Sequence, residues 1–221
     1  MIFRRLLGVF RTFNEHFSKL TLQKEFCVNT CSTPCETDAD SLRVKQREPD
    51  LNYTPQHIAN YFLQRGEEDG IPITPLKLIK LVYIAYGWNI ALTGKRLFEE
   101  PIEAWKHGPV IESLYHEFKH FKNSPIDEWA EDFDFESQEG TIPKVSIADK
   151  DTNLILSKVW VAYSRFGAWV LRNKTHEVGS PWHKVYKRGH RGIVLKDSDI
   201  SEHYLMKIRE YLDAAKAKAA G

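Results

Sequence analysis

Beyond position 35 the sequence has no cysteine. Its three thiols, Cys27, Cys31 and Cys35, share one short window near the N-terminus. The remainder therefore carries no disulfide framework, which suits a reducing compartment and a cytoplasmic protein. The spacing C-x3-C-x3-C matches none of the usual zinc patterns, and Pro34 breaks any helix that would align the thiols. They read as incidental thiols in a loose segment. An excess of one charge is also absent: 31 basic residues face 30 acidic ones. A general nucleic-acid binder, which needs a basic face, is disfavoured. No apolar run reaches the length of a membrane span. Arg4-Arg5 lead into no uninterrupted apolar stretch and no small-residue cleavage site, so no signal peptide is read. There is no repeat of fixed period, no G-x-S-x-G elbow and no glycine-rich phosphate loop. No helix-turn-helix with a basic recognition helix is visible either.

What is present is apolar matter: 42% of 221 residues, with six tryptophans. That is enough for one sizeable domain with a real core, plus an appendage. The appendage is residues 1–50. Ile2, Phe3, Leu6, Leu7, Phe10, Phe13, Phe17 and Leu20 share one helical face, and Arg4, Arg5, Arg11 and Lys19 the other. A basic amphipathic helix over 2–20 fits a membrane surface or a partner's groove. Residues 29–50 turn polar and read as a linker. The only methionines are Met1 and Met206, so a start at Leu51, with 1–50 outside the native chain, is the competing reading. Residues 51–213 form the predicted compact domain, and 214–221 an alanine and lysine tail expected to be solvated and frayed.

The fold class predicted for the compact part is mainly α, a single helical domain with a few short strands. Thr54-Pro55 and Thr74-Pro75 are capped helix starts. The second of these helices, to Thr93 and stopped by Gly94, is apolar over more than one stripe and should be central. Short extended pieces are expected around Leu97-Phe98 and 103–105. Pro109 is expected to start a helix running to Phe121, and residues 122–150 to form a surface loop with a short strand at 144–147. Helices follow at 151–163, 168–173 and after Ser180-Pro181. Ile193-Leu195 reads as a strand. Asp197 or Ser198 caps a last helix with Ile200, Tyr204, Leu205, Ile208 and Leu212 inward.

Two stretches repeat the same ingredients of aromatic, imidazole and turn chemistry. One is Trp105-Lys106-His107-Gly108-Pro109. The other is Thr175-His176 through Ser180-Pro181-Trp182. Both should be fixed elbows, because glycine opens backbone angles closed to other residues and proline pre-sets φ. His107 and His176 could approach one cleft as an acid-base pair. Without a nucleophile, packing is the stronger reading of both.

His116-Glu117-Phe118-Lys119-His120 spells H-E-x-x-H, which on a helix places two imidazoles ready for zinc. The apolar stripe of this segment is Ile111, Leu114, Tyr115, Phe118 and Phe121, so His116 and His120 fall on the opposite, solvent side. They are weak metal candidates, and no cofactor is expected.

The compact part resembles the Panacea domain family, the SocA-like antitoxins of bacteria and phages. The resemblance spans about Tyr53 to Tyr211. It rests on Ile58-Ala59-Asn60-Tyr61-Phe62, on Ile73 through Tyr83 into Tyr86-Gly87-Trp88, on Pro101 through Val110, and on Thr175-His176 with Ser180-Pro181-Trp182. It implies a mainly helical, non-enzymatic antitoxin that neutralises a cognate toxin by direct binding. One alternative it implies is an adaptor that delivers the toxin to an ATP-dependent protease; a metal-dependent hydrolase using His116 and His120 is the remote one. Trp105, His107, Gly108, Pro109, Thr175, His176, Pro181 and Trp182 match family motif positions. They are expected to be structural or partner-binding, with toxin contacts on 122–147 or the N-terminal helix. No nucleic acid is expected as a partner, and membrane contact only through the 2–20 helix.

Overall fold

Two Thr-Pro pairs open the first two helices. α1 runs from Pro55 to Glu68 and α2 from Pro75 to Thr93, each with proline in its first turn, where a missing N–H costs nothing. The computed structural model describes residues 53–134, 139–190 and 192–219. The amphipathic stretch 2–20 and the three cysteines lie outside them. The described elements belong to one unit, Asn52–Gly221, and they are mostly helical.

α2 is the axis of the molecule. It is buried from Leu78 to Ile90 on every side, and α1, the later helices Lys150–Tyr163, Ala168–Thr175 and Asp197–Ala219, and the strand Gly108–Ile111 pack around it. This is the outcome its continuous apolar sequence demands, since a helix apolar all round has no face to give to water. Gly94, at φ 70°, ends it by donating its amide to the Ile90 carbonyl. Among the described residues no helix is long and apolar enough to cross a membrane.

The next segment departs from the sequence reading. Pro109 does not start a helix. β1 (Ile102–Trp105) and β2 (Gly108–Ile111) form an antiparallel hairpin, with Ala104 opposite Pro109 and Trp105 opposite Gly108. The Ala104 amide donates to Ile193, and the Leu195 amide to Ile102, so these groups of β1 point away from β2. Ala104 and Pro109 are thus a pair that exchanges no hydrogen bond across the hairpin. Proline's missing N–H is harmless there, which is why a strand accepts it. The expected strand at 193–195 is a single bridge, Val194 to Glu103. The piece at Leu97-Phe98 is buried but is not a strand.

α3 is only Glu112–Phe118, and Lys119–Phe121 tightens into a 3₁₀ turn. The strand expected at 144–147 is also absent. Instead β3 (Asp132–Asp134) pairs with β4 (Glu139–Thr141). Buried Asn60 holds this region to α1: its carboxamide accepts from the Ala130 amide and donates to the Ala130 and Pro143 carbonyls. α4 (Lys150–Tyr163), α5 (Ala168–Thr175) and α6 (Pro181–Val185) follow close to expectation. α7 spans Asp197–Ala219. Ile200 and Tyr204 face the core, but Leu205 is exposed. The alanine and lysine tail continues this helix instead of fraying at Ala214, because both residue types favour helix even without packing. α7 reaches α2 where Gly87 leaves room: a methyl there would stand 2.0 Å from the Tyr204 ring.

Candidate functional site

Gly108 is the point at which the two elbows meet. Its φ is 102°, outside the range of L side chains. A methyl built on it would lie 2.7 Å from Lys80 Nζ, 2.9 Å from His176 Nε2 and 2.9 Å from Thr175 Oγ1. Three polar atoms, from α2 and the end of α5, therefore crowd against one backbone carbon of the hairpin. Only glycine fits this approach.

Lys80 is the residue at the centre, and its side chain is fully buried. Its ammonium position is fixed by a 2.7 Å bond donated to the Pro109 carbonyl. That carbonyl is free to accept because it points away from β1. Burial, and then the nearby Arg172 guanidinium, push the Lys80 pKa well down. The sequence reading passed over this lysine. Its signal was a charge inside Leu78-Ile79-Lys80-Leu81-Val82, on a helix apolar all round.

Thr175 ends α5 and turns its hydroxyl to the Arg172 carbonyl at 2.8 Å. His176 stacks on Trp182 with ring centroids 3.5 Å apart. Its Nε2 is buried and has no hydrogen-bond partner. Burial, then Arg172 and Lys80, lower its pKa to about 4, so the ring is neutral at physiological pH. Trp182 donates its indole N–H to the Trp105 carbonyl at 2.7 Å, tying the second elbow to the first. Pro181 is buried in the first turn of α6, and Ser180 caps it by accepting from the His183 amide. Ser180 also donates to the Thr175 carbonyl at 3.0 Å.

The structure thus brings together Gly108, Pro109, Thr175, His176, Pro181 and Trp182 with Lys80. Trp105 sits at the edge, its indole N–H on Glu103 at 2.7 Å and its ring edge-on to Tyr115. His107 is different. It is not on an elbow before a helix but at the exposed tip of the hairpin, beside Lys106. Its ring meets that of Trp169 at 6.0 Å, edge to face. His107 and His176 share a neighbourhood, yet the His176 nitrogen that faces inward is closed to solvent.

His116 and His120 stand elsewhere, with side chains 53% and 57% exposed. They are not on one regular helix, because α3 ends between them. His116 lies 3.5 Å from Glu112 and His120 3.7 Å from Glu128. Glu117 accepts from the Glu131 amide and from Gln56, so it anchors the chain after α3. Burial raises its pKa. Among the described residues no three His, Cys, Asp or Glu side chains are placed to hold a metal ion.

Comparison with known proteins bears on this hub. A family model described as antitoxin SocA-like, Panacea domain, matches residues 78–183, which include every hub residue. Antitoxin SocA of Caulobacter vibrioides (strain NA1000 / CB15N) is 31% identical over 139 residues, covering 61% of this chain and 73% of that protein. No solved structure matches.

Proposed function

The chain belongs to the SocA-like antitoxin family with its Panacea domain, and from that membership we propose that it is the antitoxin of a toxin–antitoxin system. It neutralises a cognate toxin protein by direct, non-enzymatic binding. The observation that carries this reading is the 31% identity to an antitoxin across most of that protein's length. The hub supports the non-enzymatic part. Lys80 and the inward nitrogen of His176 are sealed, and the Lys80 ammonium is spent on joining α2 to the hairpin. A group that cannot reach solvent or substrate is poorly placed for acid-base work. The motif residues are thus scaffold, and the partner meets what they hold up.

The test is co-expression with the protein encoded by the adjacent reading frame. Growth arrested by that protein alone should be restored by this chain, and the two should co-purify. A neighbour that is harmless alone removes the reading. A toxin that disappears faster when this chain and an ATP-dependent protease are both present supports delivery to the protease instead. His116→Ala and His120→Ala together should leave neutralisation intact; its loss would return the metal-dependent hydrolase to consideration.

A further inference from the structure

Outside the sealed hub, the side chains it holds up form a small cationic and aromatic rim. Trp169 on α5 is 62% exposed, unusual for so large an apolar surface. His107 meets it from the hairpin tip. The Arg172 guanidinium lies 5.9 Å from the Trp169 ring, and Lys106 is exposed next to His107. Arg172 donates to the Asn173 carboxamide oxygen at 3.1 Å, and its Nε is buried without a partner. Among the described residues neither Lys106 nor Arg172 is ion-paired. Elsewhere Arg65, Arg96, Lys184 and Lys207 each pair with a carboxylate. Burial, and then Lys106, Arg172 and Lys80, lower the His107 pKa, so the groups acting on this ring are all basic.

We propose that the rim of Lys106, His107, Trp169 and Arg172 is the docking surface for an acidic, carboxylate-bearing segment of the toxin. This rests on the antitoxin reading above. Tryptophan and arginine are both enriched among the residues that anchor protein interfaces. The unpaired cations supply the complementary sign, and arginine grips carboxylate better than any other side chain. A carboxylate-bearing protein segment fits better than a nucleic acid. The rim offers one stacking ring instead of a track of them, and the chain as a whole is nearly neutral. The rim is also distinct from residues 122–147, whose Asp127, Glu128, Glu131 and Asp132 would favour a basic partner.

The experiment is calorimetric titration of the full chain with the adjacent-gene protein at low and high salt. Four variants are compared with the unaltered chain: Trp169→Ala, Lys106→Glu, Glu128→Lys in the acidic segment, and Lys95→Glu as an exposed control elsewhere. Circular dichroism confirms that each is folded. Trp169→Ala and Lys106→Glu should each weaken binding about tenfold or more, and Lys106→Glu should flatten the salt dependence. Lys95→Glu should bind as the unaltered chain does. Full binding by both rim variants overturns the proposal while leaving the antitoxin reading standing. So does weakening by Glu128→Lys alone, which would move the contact to the acidic segment. If Trp169→Ala abolishes self-association or binding of a labelled oligonucleotide but not of the toxin, the rim serves a second copy or a nucleic acid and the proposal fails. An unaltered chain that binds no adjacent-gene protein removes both readings together.

Discussion

Gly108 shows how much a single position can carry. Its backbone angle excludes other residues, and its missing side chain admits Lys80, Thr175 and His176. Gly108→Ala should therefore lower stability by about 2–4 kcal/mol, from backbone strain and overpacking together. Urea denaturation checks this; a loss below 1 kcal/mol would mean the hub relaxes easily. His176 makes a second test, through pH. Its folded-state pKa of about 4 lies below the ordinary value of 6.5, so the unfolded chain takes up a proton first. Its contribution is full above pH 6.5 and is lost as pH falls towards 4. His203, lowered to about 4 by burial and Lys207, acts in the same direction. Glu117, raised by burial, acts in the opposite one. Stability should fall between pH 7 and pH 5, and the fall should be shallower by up to one proton in His176→Gln. An identical slope in both proteins would show that His176 is not the group responsible.

At the scale of elements, α2 and its partners decide the architecture. Gly87 lets α7 approach α2 so closely that Tyr204 covers its Cα. Gly87→Ala should destabilise by roughly 2–4 kcal/mol, although alanine is the better helix former. Adding Tyr204→Leu should recover part of that loss, a non-additivity expected only if the two touch. Simple additivity in thermal or urea unfolding would contradict the packing. Elements of this kind were largely legible in the sequence. The Thr-Pro starts, the Gly94 stop and the all-round apolar pattern of 78–90 are local signals, and local physics produced them. The hairpin was not legible, because Gly108-Pro109 suits a helix start as well as a strand. What decides is the partner on each side of β1, and that partner, Ile193 to Leu195, is far along the chain. The motif residues of both elbows could be picked from turn chemistry. Lys80 could not be tied to them, since its companions come from two distant segments, the hairpin and the end of α5. Trp169 was missed for the opposite reason: exposure leaves no periodic trace.

For the whole molecule, the structure divides into a sealed hub and an open rim. The hub joins a central helix, a hairpin and a helix end through Lys80, Gly108 and Trp182. The rim presents Trp169, His107 and Lys106 to whatever approaches. Under the antitoxin role proposed above, a molecule so divided would act by occupying its partner, not by transforming it. That distinction has a direct signature in stoichiometry. Purified toxin, assayed at fixed concentration with increasing amounts of this chain and no protease, should lose activity in proportion and reach full inhibition at a fixed molar ratio. Inactivation by sub-stoichiometric amounts, growing with time, would show turnover and contradict neutralisation by binding.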